Sequence, residues 1–230
     1  MRPLPPDGPP VPRPPGPGWN RARLGYLLPL LAVLLIACRG GDGLHGAWPV
    51  TPTPARGFAL IDQSGEEVHF IDFRGEVVAL TFIYSNCVTA CPITSLKLKL
   101  VADQLSPEEA RQVRFVGVSL DPERDTPEAA AEYLDTRPSP PGMLFLTGTR
   151  EALKPVWRAY EVESRPLDSA PGGGAPDDGP ATGHGDYIVE HSVVVYLIDR
   201  GQIVRAAYVP DNYFEPDDLV KDIRTLLSPR

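Results

Sequence analysis

Hydrophobic positions along this 230-residue chain fall into short runs whose spacing predicts alternating strands and helices. Residues 77–84 (VVALTFIY) form a nearly continuous β-branched and aromatic run, typical of a central strand buried on both faces. Similar runs predict strands at 113–120 and 143–147. Helical signals, among them Thr126-Pro127-Glu128 as an N-terminal start, lie between and after these strands. The helices are expected at 92–105, 126–135, 149–160 and 215–227.

Two hairpins are expected to complete the sheet. Residues 58–62 and 68–73 predict one hairpin, and residues 192–199 and 203–208 predict another through a turn at 199–202. Between them, strand-like residues 187–189 follow an aperiodic Gly-rich stretch, 168–185, for which we expect a long flexible loop. This order predicts an α/β, thioredoxin-like fold: a central mixed sheet flanked by helices, with an extra N-terminal hairpin.

The first 54 residues have a different composition and divide into short segments. Residues 1–23 are Pro-rich and predict a disordered region, and residues 24–38 predict a signal or anchor segment. Its uncharged part, 24–37, is 14 residues long, whereas a membrane span needs about 20. Residues 39–54 are Gly- and Pro-rich and predict a flexible tether, which leaves 55–230 as the folded domain.

Cys38 ends the apolar segment in Leu-Ile-Ala-Cys, which resembles a bacterial lipobox, so lipidation of this cysteine is expected. The alternative is an ordinary thiol in an uncleaved signal anchor. In either case the arginines before the segment place the residues that precede it in the cytoplasm and everything after it outside. Both hypotheses predict a domain attached to the extracytoplasmic face of the cell membrane.

Charge narrows the range of partners. The formal net charge is −8, and the chain after residue 23 carries −11 because four arginines and one acid precede it. Nothing in such a charge balance could neutralise a phosphate backbone, which argues against nucleic-acid binding.

The candidate chemistry lies at Cys87 and Cys91, which follow the central strand and precede a helix. The helix N-terminus is expected to lower the thiol pKa, which favours both disulfide exchange and metal ligation. Disulfide oxidoreductases mostly have two residues between their cysteines. Three residues between the cysteines, as here, better suit two thiolates around soft Cu(I). Zinc would need further ligands that the sequence does not offer nearby. Redox chemistry and metal binding both remain open, with a structural thiol pair as the weaker alternative.

A third ligand would be a histidine. His191 lies at the end of the Gly-rich region, where thioredoxin-like reductases usually carry proline, although a strand-end histidine alone more often has a structural role. His184 is a rival in a Gly-flanked loop. His45 lies in the tether, and His69 is expected at the surface or in hairpin packing.

Several separated motifs resemble the SCO/SenC family over about residues 55–228. They are Gly57 to Asp62 with Phe73-Arg74-Gly75, Phe82-x-Tyr84-x-x-Cys87-x-x-x-Cys91-Pro92, Val118 to Pro127, Leu146 to Thr149, and His191-Ser192 with Tyr196 to Asp199. Asp121 to Asp125, within the third motif, is expected to serve the fold and helix capping, with partner docking as a further role.

The resemblance implies a membrane-tethered copper protein that assists assembly of the CuA centre of cytochrome c oxidase. It implies copper, as Cu(I) with Cu(II) a further possibility, bound by Cys87, Cys91 and His191. The expected partner is the CuA-bearing oxidase subunit, and the expected role is metal delivery rather than catalysis. The alternative is an extracytoplasmic thiol–disulfide oxidoreductase that reduces cysteines of an exported target. Glu190 stands where the family often has Asp.

Overall fold

The computed structural model describes residues 43–46, 51–162, 164–168, 187–191, 194–209 and 214–228; residues 164–168 and 187–191 are described by their backbone. They all belong to one compact unit, residues 43–230. The strands are β1 (Thr53–Pro54), β2 (Ala59–Ile61), β3 (Glu67–His69), β4 (Val77–Ile83), β5 (Val113–Ser119), β6 (Leu144–Leu146), β7 (Ser164–Asp168), β8 (Tyr187–His191), β9 (Val195–Ile198) and β10 (Ile203–Tyr208). The helices are α1 (Ala90–Ala102), α2 (Pro107–Ala110), α3 (Pro127–Thr136), α4 (Arg150–Ala159) and α5 (Pro216–Leu227).

A mixed sheet is built around β4. The strand order is β1-β10-β9-β4-β5-β6, with β4, β5 and β6 parallel and the other neighbours antiparallel. Every residue of β4 is buried, as its apolar sequence predicts. Strand β5 packs closely against β4 at Gly117, where a side chain would not fit. A Cβ at this position would lie 2.5 Å from Ile83 Cδ1. The predicted mixed sheet with flanking helices is confirmed.

The extra N-terminal hairpin is present, but its second arm is shorter than predicted. β2 and β3 pair antiparallel, and β3 ends at His69. Phe70–Phe73 form a 3-10 helix instead of continuing the strand, because this turn buries Phe70 and Phe73 in the core together.

Part of the segment predicted as a tether contacts the domain. Thr53 and Pro54 add an edge strand to β10. The backbone N–H of His45 donates to Asp222 Oδ2 at 2.7 Å, and its Nδ1 lies 2.7 Å from Asp222 Oδ1. Asp222 is buried in α5 and also accepts from the Tyr208 hydroxyl. The Gly/Pro composition did not indicate these contacts because they are made to a strand and a helix that are distant in sequence.

A strand that the sequence did not predict lies just before the aperiodic Gly-rich stretch. β7 pairs antiparallel with β8 along five residues, from Ser164 opposite His191 to Asp168 opposite Tyr187. The predicted strand at 187–189 therefore extends to His191, and the predicted strand at 192–199 is the shorter β9. A Pro-containing strand lacks the alternation that marks strands, so only its pairing with β8 identifies it.

Within the described ranges, no helix is long and apolar enough to cross a membrane. The predicted segments 1–23 and 24–38, with Cys38, lie outside those ranges, as does most of the predicted Gly-rich loop.

Candidate metal centre

The two cysteines lie on the connection from β4 to α1. The helix begins at Ala90, with Thr89 as its N-cap, so it starts two residues earlier than the sequence predicted. Cys91 consequently lies inside the first turn of the helix rather than before its start. Pro92 does not prevent this start, because its missing N–H falls where helical N–H groups have no intrahelical partner.

The fold brings the two sulfur-bearing side chains together. The Cys91 backbone N–H donates to Cys87 Sγ at 3.2 Å, and the Cys87 N–H donates to the Tyr84 carbonyl at 3.2 Å. Both side chains are buried thiols. A close, dry pair of soft donors suits a soft cation of low coordination number, and it equally suits formation of a disulfide.

The electrostatic environment differs from the sequence prediction. Burial raises the pKa of the Cys91 thiol well above its ordinary value, and the adjacent Cys87 and the Asp125 carboxylate raise it further. The predicted lowering by the helix N-terminus is therefore wrong for Cys91, because the helix dipole does not offset the loss of water around the thiolate. A bound cation would supply the missing positive charge.

Asp125 forms hydrogen bonds both to the loop that carries Cys87 and to the end of β5. Its Oδ1 accepts from the Ser85 backbone N–H at 2.8 Å, and its Oδ2 accepts from the Ser119 hydroxyl at 2.5 Å. Burial raises the pKa of this carboxyl to about 6, although the bonds from Ser119 and Ser85 act in the opposite direction. The sequence alone did not indicate this role, since a charged turn after a strand is usually solvated.

The rest of the Asp121–Asp125 segment agrees with the predicted role in the fold. Asp121 is buried and pairs with Arg124, and Glu123 Oε1 accepts from Arg150 at the start of α4. Thr126 caps α3 by accepting from the Ala129 N–H.

The candidate histidines lie in different parts of the molecule. His191 is the last residue of β8, a strand that the structure describes by its backbone. His184 lies outside the described residues. His69 is exposed, as predicted, 3.6 Å from Glu67. Among the side chains that the structure describes, no group of three His, Cys, Asp or Glu is arranged to hold a metal ion. The assignment of His191 as the third ligand therefore stays a prediction.

Comparison with known proteins gives a consistent result. A family model described as SCO1/SenC matches residues 51–228. A mitochondrial SCO2 homologue of Bos taurus is 34% identical over 185 residues, covering 72% of this chain and 64% of the relative. A mitochondrial SCO1 homologue of Homo sapiens is 34% identical over 142 residues, covering 61% of this chain and 42% of the relative. The matched part thus spans roughly half the length of these relatives.

Solved structures resemble the domain as well. Apo Sco1 from Thermus thermophilus aligns with a TM-score of 0.63 and 29% identity, covering 80% of this chain and 97% of its own. Yeast Sco1 with copper bound aligns with a TM-score of 0.60 and 29% identity, covering 75% and 87%. With the family model matching most of the chain, and the cysteine pair seated between the central strand and the first helix, this chain belongs to the SCO1/SenC family.

Proposed function

We propose that this protein binds Cu(I) through Cys87, Cys91 and His191 and delivers it during assembly of the CuA centre of cytochrome c oxidase. The observation that carries the proposal is the buried pair of thiols, linked by the bond from the Cys91 N–H to Cys87 Sγ. Family membership and the copper bound by yeast Sco1 support it.

The donor set fits copper better than other metals. Two thiolates and one imidazole satisfy Cu(I), which accepts few and soft ligands, whereas structural zinc takes four. Burial of both sulfurs excludes water from the ion. The same burial disfavours bare thiolates, so binding releases thiol protons and is expected to weaken as the pH falls.

A direct test measures copper in the reduced full chain. We expect one Cu(I) per chain, retained against a competing chelator. The variant His191→Ala should lose about tenfold or more in affinity, with X-ray absorption showing two sulfur ligands and the loss of the imidazole. His69→Ala, which changes an exposed histidine, is the matched control. Unchanged affinity and unchanged coordination in His191→Ala would remove this ligand from the proposal.

A second candidate is a thiol–disulfide oxidoreductase acting on an exported protein. It is favoured by the contact between the two cysteines at a helix N-terminus, where one sulfur can attack a target disulfide and the other can release it. Cys91→Ser should then accumulate a mixed disulfide with its target through Cys87. Absence of any such adduct under oxidising conditions would count against this candidate.

We also propose that residues 24–38 hold the domain at the extracytoplasmic face of the membrane, with Cys38 as a lipidation site. The support is the lipobox-like sequence after a short apolar segment. Labelling cells with radioactive palmitate should mark the wild type and spare Cys38→Ser. An unlabelled wild type that still sediments with membranes would indicate an uncleaved anchor instead.

A further inference from the structure

An exposed apolar strip runs from the cysteine loop along the outer side of α1. In the described part of the chain five large hydrophobic side chains are exposed, and four of them form this strip: Val88 (79% exposed), Ile93 (53%), Leu96 (43%) and Leu100 (44%). Ile93, Leu96 and Leu100 are spaced three and four residues apart and therefore share one face of the helix. From Cys91 to Leu100 the helix rises about 13 Å.

The opposite face of α1 is already used by the core. Cys91, Leu98 and Val101 are buried there, and Ser95 bonds to the Tyr133 hydroxyl of α3 at 2.9 Å. Packing of the domain therefore does not account for the outer leucines. A helix that is apolar on both sides normally lies in a protein interior, so the outer side of α1 is suited to being covered.

The size of the strip indicates the kind of contact. It exposes on the order of a few hundred Å² of apolar surface, comparable to the largest patch on a typical monomer. A stable dimer needs about 800 Å² from each partner, whereas transient redox encounters bury less. The area thus favours a short-lived complex over permanent association of two copies.

Charge indicates which partner would approach. Residues 85–102 contain two lysines, Lys97 and Lys99, and no acid, although the chain as a whole carries −8. Lys99 is paired at 2.6 Å with Asp103, the C-cap of α1, so residues 85–103 carry a formal net charge of +1. This segment is therefore a region of the domain that does not repel an acidic protein. A partner with an apolar patch ringed by carboxylates is complementary to it.

We propose that the apolar strip of Val88, Ile93, Leu96 and Leu100 is the docking surface for an acidic exported dithiol protein that exchanges Cu(I) with Cys87 and Cys91. This inference rests on the proposed function. In the exchange, copper–sulfur bonds to the two cysteines break as bonds to the acceptor thiolates form. The donor cysteines take up the protons that the acceptor thiols release, and copper stays Cu(I). Both donor sulfurs are buried and exposed Val88 directly follows Cys87, so an acceptor that reaches the sulfurs contacts this loop.

The test measures Cu(I) transfer from the copper-loaded full chain to the reduced, soluble CuA domain of a bacterial oxidase, as a function of acceptor concentration. The double variant Leu96→Gln with Leu100→Gln should raise the acceptor concentration for half-maximal rate about tenfold and leave the maximal rate unchanged. Leu96→Glu should raise it more than Leu96→Lys, since the acceptor is acidic.

Two controls separate docking from copper binding. Ile71→Gln changes the exposed hydrophobic residue that precedes β4, at the far end of that strand from the cysteines, and should behave as wild type. Transfer to a small copper chelator needs no docking, so its rate should be the same in every variant.

If the wild type binds no copper, the proposed function fails. The strip is then tested by the rate at which the reduced chain reduces the disulfide of the oxidised CuA domain, with a small disulfide as the control.

Equal half-maximal concentrations for the wild type and the double variant would overturn the proposal. A difference in sedimentation coefficient between the wild type and the double variant, each measured without acceptor, would also overturn it, because the strip would then contact a second copy. A rate that depends on lipid or detergent content rather than on acceptor concentration would assign the strip to a membrane surface and would also overturn it.

Discussion

Helices α1 and α5 pack against one another, but they present opposite kinds of outer surface. The outer face of α5 carries charged side chains, with Lys221 paired to Asp218 and Arg224 paired to Glu109. The outer face of α1 carries the apolar strip. Both helices bury one apolar side in the same core, so the demands of folding do not explain the difference. The outer residues of α1 are better explained by an encounter with another molecule.

The largest effect is expected within α1 itself, where two leucines two positions apart differ in burial. Leu98→Ala should lower the free energy of unfolding by about 3 kcal/mol, because it leaves a cavity beneath the helix. Leu96→Ala should change it by less than about 0.5 kcal/mol, since that side chain is half in water. Urea denaturation of the apo protein measures both. Equal losses would mean that the strip belongs to the core.

The next largest effect is expected inside α5. Asp222→Ala should cost about 2–3 kcal/mol, because the His45 N–H and the Tyr208 hydroxyl lose a buried acceptor. Asp217→Ala, at an exposed position of the same helix, is the control. Limited proteolysis near residue 45 should accelerate in Asp222→Ala alone. Unaltered cleavage would show that the segment around His45 is held by other contacts.

Asp125 gives a pH-dependent effect on the cysteine side of the molecule. Its folded-state pKa of about 6 lies above that of an unfolded aspartate, so the folded state binds the proton more tightly. Its contribution to stability is therefore present near pH 4 and is lost as the pH rises through about 6, a change on the order of 2 kcal/mol.

The variant Asp125→Asn should remove that part of the pH dependence, because a neutral amide does not titrate. Stability measured by denaturation at pH 4.5 and pH 7.5 compares the two chains, with exposed Asp135→Asn as the control. A pH profile in Asp125→Asn that matches the wild type would assign the dependence to another group.

The smallest effect is expected on the outer face of α5. Arg224→Ala removes bonds to Glu109 and to the Gln104 carbonyl, all at an exposed site. Because solvent and salt screen such contacts, the denaturation midpoint should fall slightly at low salt and match the wild type at high salt. A large, salt-independent loss would show that the charged face is structural and would weaken the contrast with α1.

Much of the fold could be predicted because its signals are local. The apolar run of β4, the Thr126 cap of α3 and the turn between β9 and β10 each depend on adjacent residues. The cysteine pair was likewise visible from its spacing and its place between a strand and a helix.

Features that depend on distant partners could not be predicted. Ser164–Asp168 forms a strand because β8 pairs with it, although its own sequence shows no alternation. His45 contacts a helix 177 positions away. One signal was available for Asp222, which falls among the buried positions Leu219 and Ile223 of an amphipathic helix and so faces inward.

The class of fold, the family and the presence of two soft sulfur donors follow from the sequence alone, because apolar periodicity and motif spacing are properties of the chain. Tertiary structure decided how those donors behave. It buried them, which raised the pKa of Cys91 where the helix terminus alone would have lowered it. It brought Asp125 to the loop from the end of another strand and turned Leu96 and Leu100 of α1 toward solvent. Burial and long-range contacts arise only when the whole chain packs, and they set the electrostatics and the accessible surface of the site.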